Sequence, residues 1–446
     1  MLLAHFRRFA PFDRTKSTGE IKPKHVRDSI GSIEIVLVIC NLSLRITCYE
    51  ICFGPTLLGT RAEITENRGQ AEQLRELIRI NQPFLGKEEI DAAVEVLRSG
   101  ILTDKSGMGP RVLEFERSFA KFVGAKHAVA VVNGTAALHA SLLAADVGPG
   151  DEVILPSFTF VGAANAVVLT GATPVFADID KDTYCLRIES VEECVSRKTK
   201  AIIPTDLYGL PSDVSGVANL AHGKDIVVIE DAAQAHGAQL DGKKIGSIAD
   251  MTCFSFYAGK NITTGEGGMV TTNDDGYAQA LRMVRSHGEQ RPYWTVRPGH
   301  NYHMTEIAAA IGYAQLRKLP SFLEKRRKNA ELTTEKLNMT GKLLLPKEPN
   351  GRKHSWYLYT VRLRGVNAAK RNKIVDKLWN KNIEAGVYYS SPVHSTPLYR
   401  DSNIARRGRL PETEKASRQV FSLPVHPRLG ETEIEYVAET LRKTIA

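Results

Sequence analysis

Short apolar runs that end abruptly at chemically useful residues limit what this chain can fold into. Residues 128–132 give way to Asn133-Gly134-Thr135-Ala136-Ala137, small residues that open an apolar-periodic helix. Residues 154–156 lead through Ser157-Phe158-Thr159-Phe160 into Gly162-Ala163-Ala164, and residues 226–229 end at Glu230-Asp231. A run that is apolar throughout, instead of alternating, reads as a strand buried on both faces. Two of the three junctions are therefore strand, turn and small-residue helix, and the third is a strand that ends in a carboxylate.

The junctions carry chemistry. At the first, free backbone N–H groups and the positive helix end attract a dianion, Gly134 lets it approach closely, and Thr135 adds a hydroxyl. This is a phosphate seat, although Asn-Gly-Thr also serves as a plain cap and turn. Ser255 offers a further phosphate donor, or is an ordinary strand serine. Asp231, at a strand's carboxyl end, is placed to hold a pyridinium nitrogen protonated; the bland alternative is a helix N-cap. Phe160 is placed to cover a flat ring, where a lone phenylalanine is otherwise core. Lys260 stands alone among the aromatics, hydroxyls and glycines of residues 254–268. Burial with few counter-charges lowers a lysine's pKa and suits it to attack an aldehyde and then carry protons. An isolated lysine is more often a snorkelling surface charge. The company Lys260 keeps points instead to a Schiff-base lysine and to pyridoxal phosphate. Gly259-Lys260-Asn261 does not fit the P-loop pattern.

The order of these segments resembles the DegT/DnrJ family of pyridoxal-phosphate-dependent nucleotide-sugar aminotransferases, of aspartate-aminotransferase fold type I. The likeness runs from about residue 80 to the C-terminus. It is carried by Gly-Thr-Ala-Ala-Leu-His at 134–139, Pro-Ser-Phe-Thr-Phe at 156–160, Glu-Asp-Ala-Ala-Gln-Ala-His-Gly at 230–237, Ser-Phe-Tyr-Ala-Gly-Lys-Asn at 255–261 and Gly-Glu-Gly-Gly-Met-Val at 265–270. The resemblance implies an α/β fold: a large domain with a mostly parallel sheet flanked by helices, and a smaller C-terminal α/β domain. It also implies that Lys260 binds the cofactor aldehyde, Asp231 pairs with the ring nitrogen, Gln234 contacts the ring hydroxyl and Phe160 stacks. Gly134, Thr135, Ala136 and Ser255 would hold the phosphate. A homodimer with shared active sites is implied too. There His303 stands where the family usually has an Arg or Asn that reaches the neighbour's phosphate, and its charge depends on pH. Tyr388 replaces the common histidine of Gly-Val-His-Tyr.

With 446 residues and 43% hydrophobic content the chain has room for two or three domains. The expected division is a non-conforming N-terminal extension over 1–78, disordered or an over-extended start; a large cofactor domain over 79–320; and a small domain over 321–446. The boundary is set at Pro320, between a helical stretch at 305–316 and a Lys/Arg-rich helix. Residues 355–363 alternate like a strand and 368–380 read as a helix. In the extension, residues 35–44 lack charge, but Arg45 stops them short of the ~20 apolar residues of a spanning helix, so no membrane is expected. The net charge of +9 is scattered among acids, which suits an anionic small substrate and argues against nucleic acid. Arginines within 282–297 are the nearest candidates for substrate phosphate. The six cysteines show no CxxC spacing, and Cys185, Cys194 and Cys253 read as reduced thiols in a cytoplasmic protein, with no metal site.

The expected reaction moves an amino group, from L-glutamate, to the ketone of a nucleotide-linked sugar. A pyridoxal-phosphate-dependent sugar dehydratase is the nearest rival, and its closest members carry His at the lysine position. A non-catalytic sensor or regulatory protein on the same fold is the other.

Overall fold

All three abruptly ending runs form strands of one sheet. The computed structural model describes residues 76–337 and 341–445; the 1–78 extension up to residue 75, with its apolar piece at 35–44, lies outside the described residues. The sheet has eight strands in the order His127–Val131, Gly268–Thr272, Met251–Ser255, Val227–Asp231, Thr199–Ile202, Glu152–Pro156, Thr173–Ala177 and Arg406–Arg407. Neighbours from Met251–Ser255 to Arg406–Arg407 pair parallel. Gly268–Thr272 runs antiparallel to both of its neighbours.

The uninterrupted apolar runs follow from layers on both faces. Ala128 and Ala130 point into one core with Phe115, Val214 and Leu316; Val129 and Val131 point into the other with Leu138 and Val167. Side chains that alternate between two buried faces leave no polar positions. Helices Gly134–Ala144 and Gly162–Leu169 begin directly after their strands. Their N-terminal ends therefore gather at the carboxyl edge of the sheet, where ligands bind in open α/β sheets.

A second, antiparallel sheet of Leu343–Leu344, Tyr359–Leu363 and Val420–Leu423 carries helices Ala368–Trp379 and Glu431–Ile445. Val361, Leu378, Phe421 and Leu441 are central to its core. Ile78 joins that core and bridges to Ile383.

Two local expectations fail. Helix Glu306–Leu337 runs 32 residues through Pro320, although a proline there removes a hydrogen bond and crowds the preceding turn at roughly 3 kcal/mol. Burial decides the matter: Leu316, Leu319 and Phe322 on the flanking turns all sit in the main core. Residues 355–358 are not strand, because Trp356 takes a φ of 53° and regular pairing starts only at Tyr359. Among the described residues, no helix is long and apolar enough to cross a membrane, and no group of three or more His, Cys, Asp or Glu is placed to hold a metal ion.

Candidate active site

The carboxyl ends of the strands surround a cavity of about 530 Å³ whose lining includes Gly134, Thr135, Phe160, Asp231, Gln234, Ser255 and Lys260. Lys260 follows the strand Met251–Ser255 in a tight turn. Its N–H donates to Tyr257 O at 2.9 Å, and Asn81 Nδ2 donates to Gly259 O. Its ammonium lies 4.7 Å from the centre of the Tyr357 ring. The surrounding protein strips water from the amine and pushes its pKa down to about 8, against the attraction of Asp231. A lysine poised there is a free amine often enough to act as nucleophile and base near neutrality.

Asp231 is buried, 7% exposed, at the end of its strand. Desolvation raises its pKa; the Ala233 N–H, 3.2 Å from Oδ1, and the charge of Lys260 act the other way. No helix starts at Asp231, which removes the capping alternative. Gln234 is fixed from two sides. Its Oε1 accepts from Tyr208 N–H at 2.7 Å and its Nε2 donates to Tyr389 OH at 3.4 Å.

The end of helix Gly134–Ala144 closes one side. Asn133 caps it by accepting from Ala136 N–H at 2.8 Å, so the Ala136 amide already has a partner and Ala136 is not on the cavity wall. Glycine at 134 is required by close approach: a Cβ there would lie 2.7 Å from Ser255 Cβ. Gly134, Thr135 and Ser255 thus form a cradle at a positive helix end with the chemistry of a phosphate seat. Phe160 is 57% exposed and leans over the cavity toward Tyr389, ring centres 6.5 Å apart. An amine, a carboxylate set for a protonated ring nitrogen, an aromatic cover and an anion cradle on one wall fit pyridoxal phosphate.

Two expected groups lie elsewhere. His303 is off this cavity; its Nε2 is 2.8 Å from Ser286 Oγ, and burial with the charge of Arg285 lowers its pKa. Two of the four arginines of 282–297 are committed too. Arg285 is fully buried in an ion pair with Glu116 at 2.6 Å, and Arg297 pairs with Asp146 at 2.8 Å, so neither is free to meet a substrate phosphate. Tyr257, Glu266, Tyr357 and Tyr389 line the cavity without having been singled out. Glu266 had a signal, since it lies inside Gly-Glu-Gly-Gly; Tyr357 had none, being hidden in an apparent strand. Among the described residues, Lys260 is the only lysine or arginine on the wall.

A model of the DegT/DnrJ/EryC1/StrS aminotransferase family matches residues 83–442. GDP-perosamine synthase of Caulobacter vibrioides is 38% identical over 371 residues, 82% of this chain and 98% of that protein. A protein named pleiotropic regulatory protein in Geobacillus stearothermophilus is 40% identical over 350 residues, 78% of this chain and 91% of that one. Among solved structures, Spr1654 of Streptococcus pneumoniae in its PMP form superposes with a TM-score of 0.77 at 29% identity, covering 82% of this chain and 97% of the other. The same protein is also known in a PLP form.

Proposed function

From the premise that the chain belongs to the DegT/DnrJ/EryC1/StrS aminotransferase family and is a pyridoxal-phosphate-dependent transaminase of sugars, we propose that its acceptor is the ketone of a nucleotide-linked sugar and its donor L-glutamate. The observation that carries the residue roles is the shared wall of Lys260, Asp231 and the Gly134, Thr135, Ser255 cradle. Pyridoxal phosphate, when bound, supplies an aldehyde and an electron-accepting ring. Lys260 would hold the aldehyde until the donor's amine displaced it, and the freed Lys260 amine would then carry the proton from the donor's Cα to the cofactor carbon. Its depressed pKa makes both transfers workable near neutral pH. Asp231 keeps a proton on the ring nitrogen, Gln234 orients the ring hydroxyl and Phe160 covers one ring face. Gly134, Thr135 and Ser255 would hold the phosphate.

The scarcity of cations supports a shared site. A cofactor phosphate, a glutamate and a nucleotide sugar bring several negative charges, while Lys260 is the only basic side chain on the wall among the described residues. A second copy of the chain would supply the missing donors, with His303 as its contribution to the neighbour's phosphate. Buried free cysteines at 185, 194 and 253 fit a cytoplasmic setting. The regulatory relative keeps the second reading in view, but a sensor has little use for amine, carboxylate, cover and cradle together. Lysine at 260 likewise disfavours the dehydratase. The deciding experiment incubates the enzyme with ¹⁵N-glutamate and a panel of nucleotide keto-sugars. A labelled amino sugar seen by mass spectrometry is the expected result; label appearing only in products without a nucleotide overturns the acceptor.

A further inference from the structure

Glu230 and Asp231 are consecutive on one strand, so their side chains leave by opposite faces. Asp231 lines the cavity, and Glu230 points away from it at 0% exposure. Across from it lies Asp206, also 0% exposed, stitched to the same strand: its N–H donates to Asp231 O at 3.0 Å, and Asp231 N–H donates to Pro204 O at 2.8 Å. Each carboxyl has one oxygen served by a donor. Ser212 N–H reaches Asp206 Oδ1 at 2.7 Å, and the Thr252 hydroxyl reaches Glu230 Oε2 at 2.9 Å. The remaining oxygens, Asp206 Oδ2 and Glu230 Oε1, have no donor, and the two carboxyls adjoin each other closely enough for each to act on the other's charge. Ionised carboxylates only accept, so a bond between the two needs a proton.

We propose that Asp206 and Glu230 share one proton and act as a positioning pair, a clasp that holds the turn at 206–209 against the strand that carries Asp231. That turn reaches the site. The Tyr208 N–H holds Gln234 and the Tyr208 hydroxyl holds the Tyr388 carbonyl. Loss of the proton would set two buried negative charges face to face and drive the turn off the strand. The titratable groups packed around the pair are Asp231, Cys185 and Cys253, and no cation pairs with either carboxyl among the described residues. Burial, the largest influence on both, lifts Asp206 to about 7 and Glu230 well above its usual value.

Glu230→Gln tests the clasp, because an amide donates to Asp206 without a shared proton. From the ordinary carboxyl pKa upward the folded wild type holds on the pair a proton that the unfolded chain has lost, and above about 7 it still keeps one on Glu230, so its stability falls as pH rises through neutrality. Denaturant unfolding across this range should show the wild-type unfolding constant rising relative to Glu230→Gln by up to about tenfold per pH unit. Parallel curves overturn the proposal. If Glu230→Gln does not fold, Asp206→Asn provides the same comparison. Infrared spectra of the wild type at neutral pH need no variant: the expected band of a protonated, buried carboxyl must be present, and its absence also overturns the proposal. In turnover, kcat should fall on the alkaline side for the wild type and stay flatter for the variant, with KM little changed. The unfolding and infrared results do not depend on which sugar is the substrate, so they can fail separately from the transamination reading.

Discussion

The cavity has two walls of different origin. One comes from strand ends and helix starts within residues 133–268 and holds every group with acid, base or anion-binding chemistry: Lys260, Asp231, Thr135, Ser255. The other is aromatic, and Tyr357, Tyr388 and Tyr389 reach it from the C-terminal part of the chain. The first wall is fixed by backbone: Asp231 pairs with Cys253 and Ser255 with Gly268 in one sheet, and glycine 134 is forced by the closeness of Ser255. The second is fixed by single long-range bonds. Tyr208 holds the Tyr388 carbonyl, and Arg326, itself fully buried, donates to Trp356 O at 3.0 Å and to Asn81 Oδ1 at 3.1 Å. Rigid chemistry and adaptable cover are what a site needs when the reaction is constant and the substrate varies.

Mutations should divide along the same line. Lys260→Ala should lower turnover by at least about 10⁴-fold, since it removes the amine and the proton carrier together; borohydride reduction followed by peptide mapping should place the cofactor on Lys260 in the wild type, and label on another lysine would break the comparison. Asp231→Asn should lower kcat by roughly 10²-fold while cofactor stays bound, a split visible by comparing kcat with the retained cofactor absorbance. Gly134→Ala forces a Cβ against Ser255 and should weaken cofactor binding by about tenfold in a titration of the apoprotein, close to 1.4 kcal/mol.

Those residues were legible because each chemical wall element is a continuous stretch: a strand, a turn and a reactive side chain within about a dozen positions. The aromatic wall was not. Tyr357 sits in an alternating sequence that imitates a strand, but the Ser355 N–H bond to Gly209 O at 2.8 Å, the Leu358 N–H bond to Tyr208 O at 3.2 Å and the left-handed Trp356 hold the segment out of regular pairing. Pro320 misled for the same reason, since packing against the sheet outweighed a local rule. Arg285 was invisible as a structural group because Glu116, its partner, is far away in sequence.

Smaller effects sharpen the contrast. Cofactor capture by the apoprotein should accelerate about tenfold per pH unit below pH 8 and level off above it, because only the unprotonated Lys260 amine reacts; a rate that is flat with pH would remove the lowered pKa. Tyr389→Phe, on the aromatic wall, deletes one hydrogen bond to Gln234 and should change kcat/KM only about threefold. An effect as large as that of Asp231→Asn would mean that the two walls do not differ in kind.

The edge strand Arg406–Arg407 has a consequence of another sort. An open sheet ends in unpaired N–H and C=O groups that can template the strand of a stray molecule. Here the outermost strand is two residues long, both exposed arginines, one of them paired with Glu152 two strands further in on the same sheet. A stranger docking at that edge would find almost no backbone to pair with and two positive charges to desolvate. At this edge the sheet offers a second copy of itself little to pair with.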